Sequence, residues 1–298
     1  MFRGAFTALV TPFRDGAVDF AALEELIEAQ ISAGIDGLVA VGTTGESPTL
    51  SHQEREEVIR FIIEKANKRC VVLAGTGSYS TRETIAATQA AERLGADGAL
   101  VVAPYYNKPS QEGLFRHFQA IANATALHLV IYNIPGRCGV DIVAETVARI
   151  QSDCGNVVSI KEASGSVDRV SELRARMPSD FAILSGDDGL TLPFMAAGAV
   201  GVVSVASNLF PDEICQMVRA FRSGNIQTAQ QLHQQLYWLF KDLFIEPNPV
   251  PVKTAMSWRG MISGEVRLPL CAMSEANETR LRKTLDEFER DTRRKAEG

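Results

Sequence analysis

The sequence predicts an α/β chain folded as a (β/α)8 TIM barrel with a C-terminal helical extension, and three observations predict it. Eight short apolar runs, at 6–10, 37–41, 71–74, 99–103, 129–132, 157–161, 181–185 and 201–205, alternate with longer amphipathic stretches. Strands that alternate with helices form parallel β-α units, and runs without polar alternation are buried on both faces. Eight units point to a closed barrel rather than an open doubly wound sheet. Finally, Gly34-Ile35-Asp36-Gly37, Gly95-Ala96-Asp97-Gly98 and Gly198-Ala199-Val200-Gly201 each precede an apolar run. That is where a helix ends on glycine and the chain turns into the next strand.

The helical pattern is clearest at 20–33, 53–66, 82–94, 113–124 and 142–150. A helix near 211–222 follows the eighth strand. Beyond it come a helix around 226–240, the turn Glu246-Pro247-Asn248-Pro249-Val250-Pro251, and a long polar helix over 275–294. The expected division is a catalytic barrel at 1–224 and a helical extension at 225–298. Its final basic run, Arg293-Arg294-Lys295, reads as a solvated helix end.

Composition narrows the function classes. With 298 residues, 46% apolar and 22% charged, the chain is an ordinary globular protein, whose charged fraction is typically about 25%. The balance of 30 basic against 36 acidic residues gives a net charge of −6 and no polycationic face, so no nucleic-acid partner is expected. Cys70, Cys138, Cys154, Cys215 and Cys271 are scattered, with no C-x-x-C pair. Neither a zinc knuckle nor a redox dithiol is signalled, and free thiols fit a reducing cytoplasm. Arg14 and Asp15 follow the start too soon for a signal-peptide core. No apolar run reaches the ~18 residues of a membrane span, so no membrane association is expected.

Barrels of this kind carry their chemistry at the carboxyl ends of the strands. Lys161 ends the apolar run 157–161, where an isolated ammonium is costly to bury. Burial disfavours the charged form, and a neutral amine is a nucleophile able to form Schiff bases with keto compounds. The alternative is a lysine paired with Glu162 or reaching for solvent at the strand end. Lys253, beside the Pro-rich turn, is a second candidate. Gly42-Thr43-Thr44-Gly45 offers backbone N–H groups and two hydroxyls to a carboxylate or phosphate. It reads equally as a helix entry capped by Ser51. Gly75-Thr76-Gly77 lacks the third glycine of a dinucleotide fingerprint. Asp187 and Asp188, after strand seven, argue against a phosphorylated substrate. Tyr105, Tyr106 and Tyr132 place phenols at two strand ends, for structural hydrogen bonds or for a proton relay. His52, His117, His128 and His233 show no H-E-x-x-H spacing, so no metal site is expected.

Two stretches taken together, Gly37-Leu38-Val39-Ala40-Val41-Gly42-Thr43-Thr44-Gly45-Glu46 and Ser159-Ile160-Lys161-Glu162-Ala163, with Tyr132-Asn133-Ile134-Pro135 between them, resemble one family. It is the dihydrodipicolinate synthase / N-acetylneuraminate lyase family of class I aldolases. The resemblance spans the barrel and reaches Asn248-Pro249-Val250-Pro251-Val252-Lys253. It implies that Lys161 forms a covalent imine with pyruvate and that no cofactor is needed. It further implies that the Thr43-Thr44 turn holds the pyruvate carboxylate and that Tyr132 is the general acid/base. Thr43, Tyr132 and Tyr106 would form a relay, Tyr106 reaching in from a neighbouring subunit of a homotetramer built as a dimer of dimers. Gly186 and Val203 would line the pyruvate pocket through their backbone.

Within that family, Arg137 marks the members that condense pyruvate with L-aspartate 4-semialdehyde, whose carboxylate suits a guanidinium fork. The alternatives are a pyruvate-dependent aldolase of a 2-keto-3-deoxy sugar acid or sialic acid, and a keto-acid-binding regulator without turnover. Cys138 stands where the family carries Thr or Ser, a nearly isosteric change. The lysine-inhibited members imply an effector site at Ser47, His52, Tyr79, Glu83 and Tyr105. Arg55 replaces a histidine of that set, so feedback by lysine is expected to be weak or absent.

Overall fold

The computed structural model describes residues 2–296, with side chains to residue 290, so the side chains of Arg293, Arg294 and Lys295 lie outside the described residues. Eight parallel strands close a barrel: β1 Gly4–Ala8, β2 Gly37–Ala40, β3 Val71–Gly75, β4 Gly98–Val102, β5 His128–Asn133, β6 Val157–Glu162, β7 Ala182–Ser185 and β8 Gly201–Ser204. Each pairs with its neighbours in chain order, and β1 closes the ring against both β8 (Gly4 beside Gly201) and β2 (Phe6 beside Gly37). The closure needs glycine on β8, because a Cβ on Gly201 would lie 1.9 Å from the Gly4 carbonyl oxygen.

The expected strand at 6–10 lies two residues earlier, at Gly4–Ala8. Leu9 and Val10 are as buried as the strand itself, so apolar character runs past the point where ladder pairing stops. Two helices also shift, 113–124 to Gln111–Ala122 and 142–150 to Ala144–Asp153. Ser110 caps the first, its hydroxyl accepting from the Gly113 amide. A two-stranded antiparallel ribbon, Phe13–Arg14 with Ala17–Val18, was not expected at all.

The extension adds the helices Ile226–Asp242, Val250–Trp258 and Glu275–Ala296. The middle one begins inside the Pro-rich stretch expected as a turn, with Pro249 before its first residue. Leu236, Leu239, Phe240, Val252, Met256, Leu281 and Leu285 are buried in the same apolar cluster as the barrel core. Burying a large aliphatic side chain stabilises by roughly 1.5–3 kcal/mol, so these helices are held to the barrel by their apolar faces. Among the described residues no helix is long and apolar enough to cross a membrane.

Candidate active site

The strand period of two decides which residues can meet. On β6, Lys161 faces into the barrel, whereas Glu162, one residue on, faces the helices outside. Glu162 is fully buried there, accepting from the Asn133 side-chain amide and the Ser164 backbone N–H at 2.7 Å, with Arg169 3.7 Å away. A pairing of Lys161 with Glu162 is thus ruled out by the pleat, and reaching for solvent is ruled out by burial, since Lys161 is only 6% exposed. Lys253 is also buried but ion-paired, its Nζ 2.6 Å from Glu46 and 2.9 Å from the Thr11 carbonyl. Of the two lysines buried among the described residues, Lys161 is the one that lines the cavity.

Lys161 lies beside Tyr132, its partner in the β5–β6 register, with Nζ 4.2 Å from the ring centroid. Burial lowers the Lys161 amine to about 7; the buried Asp188 carboxylate raises it and the Arg137 charge lowers it further. Burial pushes the Tyr132 phenol up to about 12, against the pull of Arg137 and of a hydrogen bond with the Thr43 side chain. At neutral pH the site therefore combines an amine that is about half deprotonated with a phenol that keeps its proton.

Both groups open onto a cavity of about 80 Å³ that is also lined by Thr43, Thr44, Ser47 and Tyr105. The turn bearing the threonines is closed by Gly45 N–H to the Gly42 carbonyl and Glu46 N–H to the Thr43 carbonyl. Among the described residues, the Thr43 and Thr44 amides donate to no backbone carbonyl. Adjacent amides left in this way form a concavity suited to an anion. Ser51 does cap a helix, His52–Ala66, with a full capping box through Glu54. That cap lies beyond the threonine turn and uses none of its amides.

The turn begins from a strained residue. Val41 has φ 55°, a left-handed conformation costing a β-branched residue on the order of 1–3 kcal/mol. The Val41 carbonyl then presses on Gly75, where a Cβ would lie 2.3 Å from it. The strain at Val41 and its close approach to Gly75 were not legible in the sequence, although Gly75 directly follows an apolar run. Gly186 is similarly constrained: a Cβ there would lie 2.7 Å from the Ala163 Cβ and 3.1 Å from the Lys161 Cε.

Other expected site residues are placed less directly. Arg137, on the short helix Pro135–Cys138, donates to the Asn248 carbonyl at 3.3 Å. Cys138 is buried with Sγ 3.4 Å from the Ala103 carbonyl, a weak donor where a hydroxyl would donate better. Val203 is buried on β8 beside Phe6. Tyr106 is not brought to the cavity by its own chain: it is 90% exposed in a loop, with φ 68°.

Ser47 and Tyr105 line the cavity, while His52, Glu83 and Arg55 line a separate groove of about 460 Å³. Tyr79 packs edge-on to Tyr105 at 5.3 Å. Sequence reasoning missed the duties of the Asp187-Asp188 pair. Asp187 caps the turn Asp188–Leu190, and Asp188 accepts from the Val205 and Ala206 amides, fixing the end of β8. Among the described residues no three of His, Cys, Asp and Glu gather as a metal would require.

Residues 1–288 match the Dihydrodipicolinate synthetase family. The chain is 53% identical over 288 residues, 97% of this chain and 99% of the relative, to a 4-hydroxy-tetrahydrodipicolinate synthase of Geobacter sp. (strain M21). It is also similar to the solved 4-hydroxy-tetrahydrodipicolinate synthase of Methylacidiphilum fumariolicum SolV, with 55% identity, 97% of each chain covered and a TM-score of 0.97. A structure described as the first monomeric dihydrodipicolinate synthase variant is 43% identical, covers 96% of this chain and 97% of its own, and gives a TM-score of 0.94.

Proposed function

Because the chain belongs to the dihydrodipicolinate synthetase family, we propose that Lys161, Tyr132 and the Thr43-Thr44 turn are the working parts of a pyruvate-dependent condensation. The enzyme is a lyase of lysine and diaminopimelate biosynthesis. It joins pyruvate to L-aspartate 4-semialdehyde and yields 4-hydroxy-tetrahydrodipicolinate. The observation that carries the assignment of roles is one buried amine, lowered to about 7, over a protonated phenol, with a turn of unpaired amides on the same cavity.

The chemistry follows from those groups. The Lys161 amine adds to the pyruvate keto carbon, and loss of water leaves a protonated imine. That imine is an electron sink, so the pyruvate methyl releases a proton to the relay and becomes an enamine. The enamine carbon attacks the aldehyde carbon, and Tyr132 supplies the proton that the new alkoxide takes up. The amine of the semialdehyde then adds to the imine carbon and displaces Lys161, closing the ring. The Thr43 and Thr44 amides hold the pyruvate carboxylate, Arg137 holds the semialdehyde carboxylate, and Gly186 and Val203 line the pocket. No cofactor takes part in this scheme.

Tyr106, exposed on its own chain, completes the relay from a neighbouring subunit, which requires at least a dimer; a homotetramer is the assembly proposed. Gly224, with φ 84°, ends the helix Pro211–Arg222 and is the proposed boundary between barrel and extension. A cytoplasmic location fits the free thiols. Arg55 places a guanidinium beside Tyr105 in the proposed effector region, where it opposes a ligand ammonium. L-Lysine at millimolar concentration is accordingly expected to leave turnover nearly unchanged, and inhibition in the micromolar range would overturn that.

Borohydride reduction in the presence of pyruvate, followed by peptide mass analysis, tests the scheme. The expected product is a reduced adduct on Lys161, and no adduct there sinks the mechanism. Arg137→Ala is expected to cut kcat/KM for the semialdehyde by about 100-fold, the loss of a charge-assisted pair of about 2.7 kcal/mol. Trapping of the pyruvate adduct should change far less. Equal loss of both would mean that Arg137 is only structural.

A further inference from the structure

Thr44 lines the cavity, and its hydroxyl has a partner from the far end of the chain: the Asn248 side-chain Nδ2 donates to Thr44 Oγ1 at 2.9 Å, across 204 residues. Asn248 is buried, and its Oδ1 is buried with no hydrogen-bond partner among the described residues. An unpaired buried acceptor is destabilising, so this amide is not placed to satisfy itself. What it does achieve is directional. A threonine hydroxyl has one hydrogen and two lone pairs. With a lone pair occupied by the Asn248 amide, the hydrogen is left for another acceptor.

We propose that Asn248 is a positioning residue that commits the Thr44 hydroxyl to donating its hydrogen bond to the substrate carboxylate. The proposal rests on the reading that the Thr43-Thr44 turn holds pyruvate. A carboxylate only accepts, so a hydroxyl aimed with its lone pairs toward the cavity would repel it. The same residue touches the second proposed clamp only through its backbone, the Asn248 carbonyl accepting from Arg137. Changing the side chain therefore separates the two substrates, because the carbonyl to Arg137 survives.

The test compares near-isosteric variants. Asn248→Asp replaces the donor by an acceptor, which captures the Thr44 hydrogen and turns lone pairs to the cavity. The expected result is a pyruvate KM raised about tenfold, with kcat and the semialdehyde KM within about twofold. Asn248→Leu, which neither donates nor accepts, should raise pyruvate KM only about threefold, and it serves as the second probe should the aspartate variant not fold. In a Thr44→Val background both changes should add less than twofold, because their target is gone. An undiminished effect of Asn248→Asp in that background would overturn the proposal and assign the loss to charge alone. A higher semialdehyde KM in place of a higher pyruvate KM would overturn it as well. Thr44→Val leaving pyruvate KM unchanged would instead remove the reading of the turn itself, and the proposal with it.

Discussion

Lys161→Met is expected to abolish pyruvate trapping and turnover while raising the thermal stability of the protein at neutral pH. The activity loss follows from removing the amine. An amine titrating near 7 is about nine-tenths neutral at pH 8, whereas one at its ordinary 10.5 would be about 0.3% neutral. The rate of imine formation in the unmodified enzyme should therefore rise with pH to a plateau from about pH 8, not climb to pH 10. The stability gain has the same origin. The folded amine titrates below its unfolded value, so between about 7 and 10.5 the unfolded chain binds a proton that the folded chain does not. Stability therefore rises with pH through that window, and the burial cost is fully present below it. A shift of this size corresponds to about 4 kcal/mol at neutral pH, most of which an apolar side chain of similar volume should recover. The stability difference between variant and parent should be largest near pH 7 and shrink toward pH 10. A difference that stays constant over that range would show that Lys161 is not buried as a neutral amine.

Much of this site was open to sequence reading because the barrel is periodic. Unbroken apolar runs mark strands buried on both faces, and the ends of those runs with the loops just after them line the cavity. Lys161, Tyr132 and Thr43 could be found from that rule. What it could not reach were duties set by contacts far apart in the chain. Asn248 meets Thr44 across 204 residues, and Lys253 meets Glu46 across 207. Nothing local in Asn248-Pro249-Val250 distinguishes a turn from a strut under the active site. Asp188 is similar: in the sequence its carboxylate argued only against a phosphorylated substrate, whereas in the fold it accepts from the amides of Val205 and Ala206. The ribbon at Phe13–Arg14 and Ala17–Val18 was legible and overlooked. Its link is Asp15-Gly16, both with positive φ, the two-residue turn that the strand twist favours.

The threonine turn is also held from beneath, and breaking that support should cost stability as well as substrate binding. Glu46 follows the turn in a left-handed conformation with φ 54°. Its carboxylate is fully buried against Lys253, one oxygen 2.6 Å from Nζ and the other accepting from the Arg267 amide at 3.1 Å. Nζ also donates to the Thr11 carbonyl and lies 4.3 Å from the Phe13 ring centroid. Such a pair is tolerable because each end has a further polar partner, and removing one side chain strands a charge in the interior at about 3–5 kcal/mol. Lys253→Met and Glu46→Gln should each lower the unfolding free energy by about that amount in denaturant titrations. The double variant should lose much less than the sum, because neither charge is then left alone. Additive losses would mean that the two side chains act separately and that the ion pair does not couple barrel to extension. With coupling present, each single variant should also weaken pyruvate binding, since Glu46 lies two residues from Thr44 in the turn that lines the cavity.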